Sequence, residues 1–473
     1  MKPIAACSAL VVAVCAALTA PPVVAEQPPN VLLILVDDLG YQDLSSQGAT
    51  DFQTPRLDAL AASGVRFTAG YVTAPQCAPS RAGLLTGINQ SRFGFRDNAA
   101  TKSIPAREQV QIISEQFKEL GYTTGMIGKW HVDVQRNKNG IIQYPRNLPQ
   151  NRGFDYVLSL DGGTSHYFPY SPEGKAWMKQ RKWEPRLELV RREGAKPEFV
   201  EGLPPRTYLT DYLSEDAARF VHRNREEPWF LLLSYNAPHT PMQAKPSKMK
   251  KYAHINPPVR RAFVGMMDSL DEGVGQVLDA LERTGQTERT IVWFLSDNGG
   301  PTARNGSRND PFTGFKGDMY EGGIRVPFFM AWPGTLDGGR EESVAVSALD
   351  ILPTSLAAAG RTEVAPVHEG RNLLPWLRDG EPAPVAELYW SWRSLSAARI
   401  GSLKITRNGR TTKTSEGVEV PAIAFSDLLS NPRELPQQAL TDAQAKGDLS
   451  DRLDAWLTQL RSDEQKMTPP ANE

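Results

Sequence analysis

Beyond its first 25 residues the chain keeps one cysteine, has no apolar run long enough to cross a membrane, shows no internal repeat and carries no surplus of either charge. Each absence excludes something. Cys7 and Cys15 lie in the N-terminal leader, so Cys77 has no partner within the remaining chain and an internal disulfide framework is ruled out. Lys and Arg number 53 against 54 Asp and Glu, which removes any global attraction to nucleic acid or a membrane surface and leaves charge selectivity to be local. The leader itself has Lys2, an apolar stretch over residues 4–18, Pro21 and Pro22, and then the small residues Val23-Val24-Ala25. That is the pattern of a secretory signal cleaved after Ala25, and it implies a periplasmic or secreted protein. In such an oxidising compartment a lone cysteine is buried, shared between chains or chemically used.

What is present is a recurrent layout: apolar runs that end abruptly in residues of catalytic type. Residues 31–36 form a run short enough for a buried parallel strand and end in Asp37-Asp38. A helix with Val110, Ile113, Phe117 and Leu120 on its apolar face closes at Gly121, and the run 122–127 leads into Gly128-Lys129-Trp130-His131. Residues 229–233 precede His239. An amphipathic helix bearing Met267, Leu270, Val274, Val277 and Leu281 precedes the run 290–295, which ends in Asp297-Asn298. Alternating helices and buried strands predict an α/β fold, a large mostly parallel sheet sandwiched by helices. Ligand sites in such sheets lie beyond the carboxyl ends of the strands, so these polar residues are expected to converge there.

After about residue 375 the pattern changes to short β-like segments over 387–392 and 398–406, a turn at Asn408-Gly409 and a last helix around 449–460. The expected division is therefore a signal over 1–25, a catalytic domain over 26–375 and a small C-terminal α+β subdomain over 376–473. Residues 137–206 are rich in Pro, Gly and mixed charge and read as a loop-bearing insertion, in which Tyr170, Trp177 and Trp183 offer surfaces suited to sugar rings. His166 in that insertion reads as a surface histidine. Lys245, Lys248, Lys250, Lys251, Arg260 and Arg261 read as a solvated basic face, with a grip on a polyanion as the alternative.

Cys77-Ala78-Pro79-Ser80-Arg81 opens a short helix, with Pro79 at its start, Leu84 and Leu85 as its buried face and Gly87 at its end. Cys77 thus stands at a helix N-terminus, where unpaired N–H groups favour an anion and would lower a thiol pKa, with Arg81 on the same side. Asp37, Asp38, Asp297 and Asn298 make an all-oxygen set suited to a hard cation such as Ca²⁺. An isolated Asp-Asp is as often a turn. The second acidic strand end tips the balance towards a metal.

The segment from Cys77 to Arg81, continued through Leu84, Thr86 and Gly87, resembles the signature of the type I, formylglycine-dependent sulfatases of the alkaline-phosphatase-like superfamily. The resemblance runs in order through Val36-Asp37-Asp38-Leu39-Gly40, Thr54 to Asp58, Gly128 to His131, Ala237-Pro238-His239, Ser296 to Gly299, Lys316, Glu321 to Pro327 and Asp350 to Thr354. It implies that Cys77 is converted to 3-oxoalanine (formylglycine) by a formylglycine-generating or anaerobic maturase enzyme, and that its hydrate attacks sulfur to give a sulfated-enzyme intermediate. It implies one Ca²⁺ on Asp37, Asp38, Asp297, Asn298 and residue 77. Arg81 and Lys129 would hold the hydrate, Asp297 would assist its deprotonation, His131 would take the proton that expels sulfate, and His239 and Lys316 would face the leaving oxygen. Three carboxylates set against a divalent cation, Arg81, Lys129 and Lys316 leave a formally positive pocket for a monoanionic ester. The expected activity is hydrolysis of a sulfate monoester, preferably on a carbohydrate. An arylsulfatase, a phosphate or phosphonate monoester hydrolase, and a non-catalytic binder of sulfated glycans are the alternatives.

Overall fold

The computed structural model describes residues 27–98, 104–132, 147–160, 162–169, 188–193, 196–201, 203–413 and 417–467. Residues 1–26, which include the expected signal, and the aromatic residues Tyr170, Trp177 and Trp183 lie outside them. Apolar, β-branched and aromatic runs form the strands of a central sheet: β1 (Asn30–Val36), β2 (Val65–Phe67), β3 (Thr123–Lys129), β4 (Tyr156–Leu160), β5 (Glu188–Glu193), β6 (Lys196–Glu201), β7 (Trp229–Ser234), β8 (Thr290–Ser296), β9 (Phe328–Ala331) and β10 (Arg340–Glu342). Their spatial order is β10-β2-β9-β8-β1-β7-β3-β4-β5-β6. The five strands from β8 to β4 are mutually parallel. β9 pairs antiparallel with both β8 and β2, and β5 and β6 add an antiparallel hairpin at the other edge. The sheet is therefore parallel at its centre and mixed at its margins.

Alternation along β1 separates two cores. Val31, Leu33 and Leu35 face one, with the helices Cys77–Thr86, Ile113–Glu119 and Ile351–Ala358; Leu32, Ile34 and Val36 face the other, with Pro55–Ala62, Leu209–Arg223 and Pro258–Arg283. Every residue of β1, β7 and β8 is buried, as a strand covered on both faces requires. Four antiparallel strands follow: β11 (Glu387–Trp392), β12 (Leu395–Ile400), β13 (Leu403–Arg407) and β14 (Ile423–Asp427). The segment expected as one strand over 398–406 is in fact a hairpin, because Gly401 adopts φ +60° and turns the chain between β12 and β13. The last helix, Ala443–Met467, is longer than its apolar stripe suggested, since only Leu449, Leu453, Trp456 and Leu460 pack against this sheet.

Candidate active site

The nucleophile helix is Cys77–Thr86, all ten residues buried, with Gln76 as its N-cap. It opens at Cys77 itself, two residues earlier than Pro79 suggested, because Ser80 already donates its N–H to the Gln76 carbonyl (3.1 Å). Gly87, at φ +65°, ends it by donating to the Gly83 carbonyl.

The helix points its first residue at the carboxyl ends of β1, β3, β7 and β8. Cys77 Sγ lies 3.5 Å from Asp37 Oδ1 and receives Lys316 Nζ at 2.9 Å. Lys129, the last residue of β3, pairs with Asp37, and Lys316 pairs with Asp38. Arg81 Nε donates to Asp297 Oδ2 (2.8 Å), while its Nη1 donates to the Lys129 carbonyl (2.9 Å) and to Ser234 Oγ (2.7 Å). Ser234 closes β7 and was not legible as a site residue, since a lone serine after an apolar run carries no periodic signal. Asn298 Nδ2 donates to Asp38 Oδ1 (2.7 Å). Asp38 and His131 hold left-handed φ angles of +67° and +52° directly after β1 and β3, a conformation that costs on the order of 1 kcal/mol and persists where surroundings impose it.

Burial and charge set the proton affinities. Burial pushes the Cys77 thiol up to about 12, and Asp297 adds to it. The expectation that its setting lowers this thiol is thereby overturned: desolvation, with the Asp297 and Asp37 charges, outweighs Lys129 and Lys316. Burial would also raise Asp37, yet Lys129, His239, Arg81 and Lys316 hold its carboxyl well below the usual range. Asp297 moves the other way, to about 6, through burial and the neighbouring Asp37 charge. His131, lowered by burial, Lys129 and Arg81, is neutral at physiological pH, and its buried Nδ1 has no partner among the described residues. His239 is lowered mainly by burial; its Nδ1 is placed to donate to the Thr240 carbonyl (2.6 Å), which leaves Nε2 facing Asp38 Oδ2 at 3.6 Å.

Asp37, Asp38, Cys77 and His239 form a group that could hold a metal ion, each presenting a ligand atom within 4.8 Å of the others. The residues fit a hard cation: two carboxylates face a third, Asp297, and the buried Asn298 Oδ1 has nothing to accept from among the described residues. His239 enters this group although the sequence suggested only a place near the leaving oxygen.

Other expectations change. His166 is half-buried, with Gln243 Nε2 on its Nδ1 at 3.2 Å, because the loop over 162–169 packs on the loop after β7. Tyr167, fully buried, shares its single hydroxyl proton between the carbonyls of Asn236 (2.7 Å) and His239 (2.8 Å), a tie the sequence did not disclose. The basic cluster is largely consumed by ion pairs: Lys245 with Asp211, Lys248 and Lys251 with Asp268, Arg260 with Asp43 and Asp51. Lys248 and Arg260 are buried in these pairs, whereas Lys250 and Lys251 stay exposed, so the solvated-face reading holds for part of the cluster.

A helix-covered parallel centre with a buried cysteine among carboxylates and cations at its strand ends defines a hydrolase of charged monoesters. The family model described as Sulfatase matches residues 29–361, and the chain belongs to that family. It is thus a sulfuric ester hydrolase of the alkaline-phosphatase-like fold. It is similar to the uncharacterized sulfatase YdeN of Escherichia coli (strain K12), at 32% identity over 75% of this chain and 67% of that protein. It is similar also to the N-acetylgalactosamine-6-sulfatase of Homo sapiens, at 31% identity over 80% of this chain and 72% of the relative. Among solved structures, Ps i-CgsB in complex with k-i-k-neocarrahexaose superimposes with a TM-score of 0.77 at 31% identity, over 91% of this chain and 93% of that one.

Proposed function

We propose that the protein is an exported sulfatase that removes sulfate from a carbohydrate, using a formylglycine made from Cys77 and one Ca²⁺. The observation that carries the reading is the meeting of Cys77 with three carboxylates, Arg81, Lys129 and Lys316, of which Lys316 also lines a cleft of about 880 Å³ beside His239. Relatives named for a sugar sulfate, and one solved with a neocarrahexaose, support a carbohydrate over an aryl ester.

Asp37, Asp38, Asp297 and Asn298 would hold the cation, with residue 77 beside them; when bound it supplies Lewis-acid polarisation of an ester oxygen. Formylglycine supplies a hydrated aldehyde in place of a thiol whose burial keeps it protonated. The remaining residues act through fixed geometry. Arg81 and Lys129 direct their side-chain N–H groups towards the anion at residue 77, and both are held in place by Asp297, Asp37 and Ser234. His131, neutral and with no partner for Nδ1 among the described residues, accepts a proton at the buried side. His239 and Lys316 both line the cleft, where Lys316 Nζ can donate to the departing alcohol oxygen.

The test is the mass of the tryptic peptide containing Cys77, from protein matured in its native host, together with sulfate release from sulfated oligosaccharides. A mass about 18 Da below that of the cysteine form, the balance for thiol-to-aldehyde conversion, is expected. An unmodified thiol in active enzyme would overturn the mechanism.

A further inference from the structure

The cleft above the site extends well past the reacting centre. Its floor holds His239 and Lys316, and its far wall is the β11–β12 hairpin turn carrying Trp392 and Arg393. Five lining side chains are cationic, Arg304, Lys316, Arg393, Arg410 and Lys413, against the single carboxylate of Asp310. The scissile ester carries one negative charge, and Lys316 already faces the reacting centre. Two of the remaining cations have internal partners, since Arg410 pairs with Asp318 (2.9 Å) and Lys413 with Glu419 (3.9 Å). Arg304 and Arg393 are exposed and have no carboxylate partner among the described residues.

Arg393 is not loose. Its φ of +54° turns it back over Trp392, with the guanidinium 4.8 Å from the ring centre. That contact holds the guanidinium over the ring while its exposed N–H groups can bind an anion in forked geometry. Trp392 is only 7% exposed, lines the cleft, and its buried Nε1–H has no acceptor among the described residues. Phe315, 37% exposed beside Lys316, adds an apolar ring face to the same cleft.

We propose that the outer half of this cleft is a second anion subsite, in which Arg393 and Arg304 receive a sulfate or carboxylate on the sugar ring next to the one being desulfated, with the Trp392 side chain as part of its wall. The substrate is then a polyanionic saccharide, and Arg393 and Arg304 are specificity-determining residues. The inference rests on the sulfatase reading for the position of the scissile ester and on the cleft alone for the second charge.

The test is calorimetric binding to the calcium-loaded Cys77→Ala protein, whose residue 77 has no heteroatom to attack sulfur. Three ligands are compared: a disaccharide with one sulfate, the same disaccharide with a second sulfate on the neighbouring ring, and the analogue with a carboxylate there. A second anion is expected to tighten binding about tenfold, the usual scale for a charge-assisted hydrogen bond. Arg393→Gln and Arg304→Gln together should erase most of that gain. The sulfate and carboxylate arms show which anion is preferred. Because the readout is a ratio of ligands on one protein, general damage to the fold cancels. No gain from a second anion, or a gain that survives both substitutions, overturns the subsite. Sulfate release by matured wild-type enzyme is followed separately. If release is absent while the gain persists, the sulfatase reading falls and the subsite stands.

Discussion

Cys77 is governed by burial more than by its helix position. At 1% exposure, with Asp37 and Asp297 near and Lys316 donating to its sulfur, the thiol is held protonated across the physiological range. Cys77→Ala should therefore abolish sulfate release while the urea unfolding midpoint stays close to that of the parent, because a small apolar side chain replaces a small protonated one; substantial residual turnover would remove Cys77 from the chemistry. Tyr167 illustrates a different dependence. Its hydroxyl holds two carbonyls of the loop that carries His239, so Tyr167→Phe should cost about 1 kcal/mol of stability and lower kcat while KM changes little. Steady-state kinetics on a sulfated oligosaccharide would check it, and an unchanged kcat would refute the positioning role. The two residues differ in legibility for a physical reason. Cys77 announces itself by its signature and its singularity, whereas a tyrosine that bonds backbone 72 residues away leaves no pattern along the chain.

At the scale of elements, strand ends were readable and joints were not. Asp37-Asp38 and Asp297-Asn298 stand out because each interrupts an apolar run, and in the structure those runs are adjacent parallel strands paired from Val31↔Ile291 to Val36↔Ser296. The stretch Glu321 to Pro327 was equally visible, but Glu321 serves as a joint between the two sheets. Its buried carboxylate receives Lys404 Nζ of β13 (2.8 Å) and Arg325 (3.2 Å), and Lys404 also reaches Glu434 (3.1 Å). Burial alone would raise Glu321; Lys404 and Arg325 instead hold it at about 2. Lys404→Met would leave two buried carboxylates facing each other and should destabilise the protein by about 3–5 kcal/mol, read from chemical denaturation. A loss under 1 kcal/mol would show the joint to be dispensable.

Asp271 clamps two helices in the same spirit, accepting the N–H groups of Arg56 and Leu57 from its place on the helix Pro258–Arg283. Burial raises it from 3.8 to about 6. The folded state therefore binds the proton more tightly than the unfolded chain, so this group's stabilisation is present below pH 3.8 and is lost as pH rises through about 6. Asp271→Asn keeps an acceptor oxygen and removes the titration, so its melting temperature relative to the parent should increase between pH 5 and 7.5. A constant difference across that interval would contradict the assignment.

For the molecule as a whole, the central question is what joins the strand ends once the sheet is formed. Asp37, Asp38 and Asp297 are three carboxylates from two neighbouring strands, balanced by Lys129, Lys316 and Arg81, which come from β3, the loop before Glu321 and the nucleophile helix. Without a cation the cluster is formally neutral, and the buried Asn298 Oδ1 is left without a donor among the described residues. A divalent ion there would bind the folded sheet and not the unfolded chain, because the strand ends meet only after β1 and β8 have paired. Such linkage stabilises by about 2.7 kcal/mol when the free ion is at a hundred times its dissociation constant. In Cys77→Ala protein, where activity plays no part, a chelator should lower the thermal midpoint and Ca²⁺ should restore it. Mg²⁺ should restore less, since it demands smaller and stricter octahedral geometry. If the midpoint does not move with chelation, the three side-chain cations alone balance the carboxylates and the calcium site is refuted, whatever the peptide mass shows at residue 77.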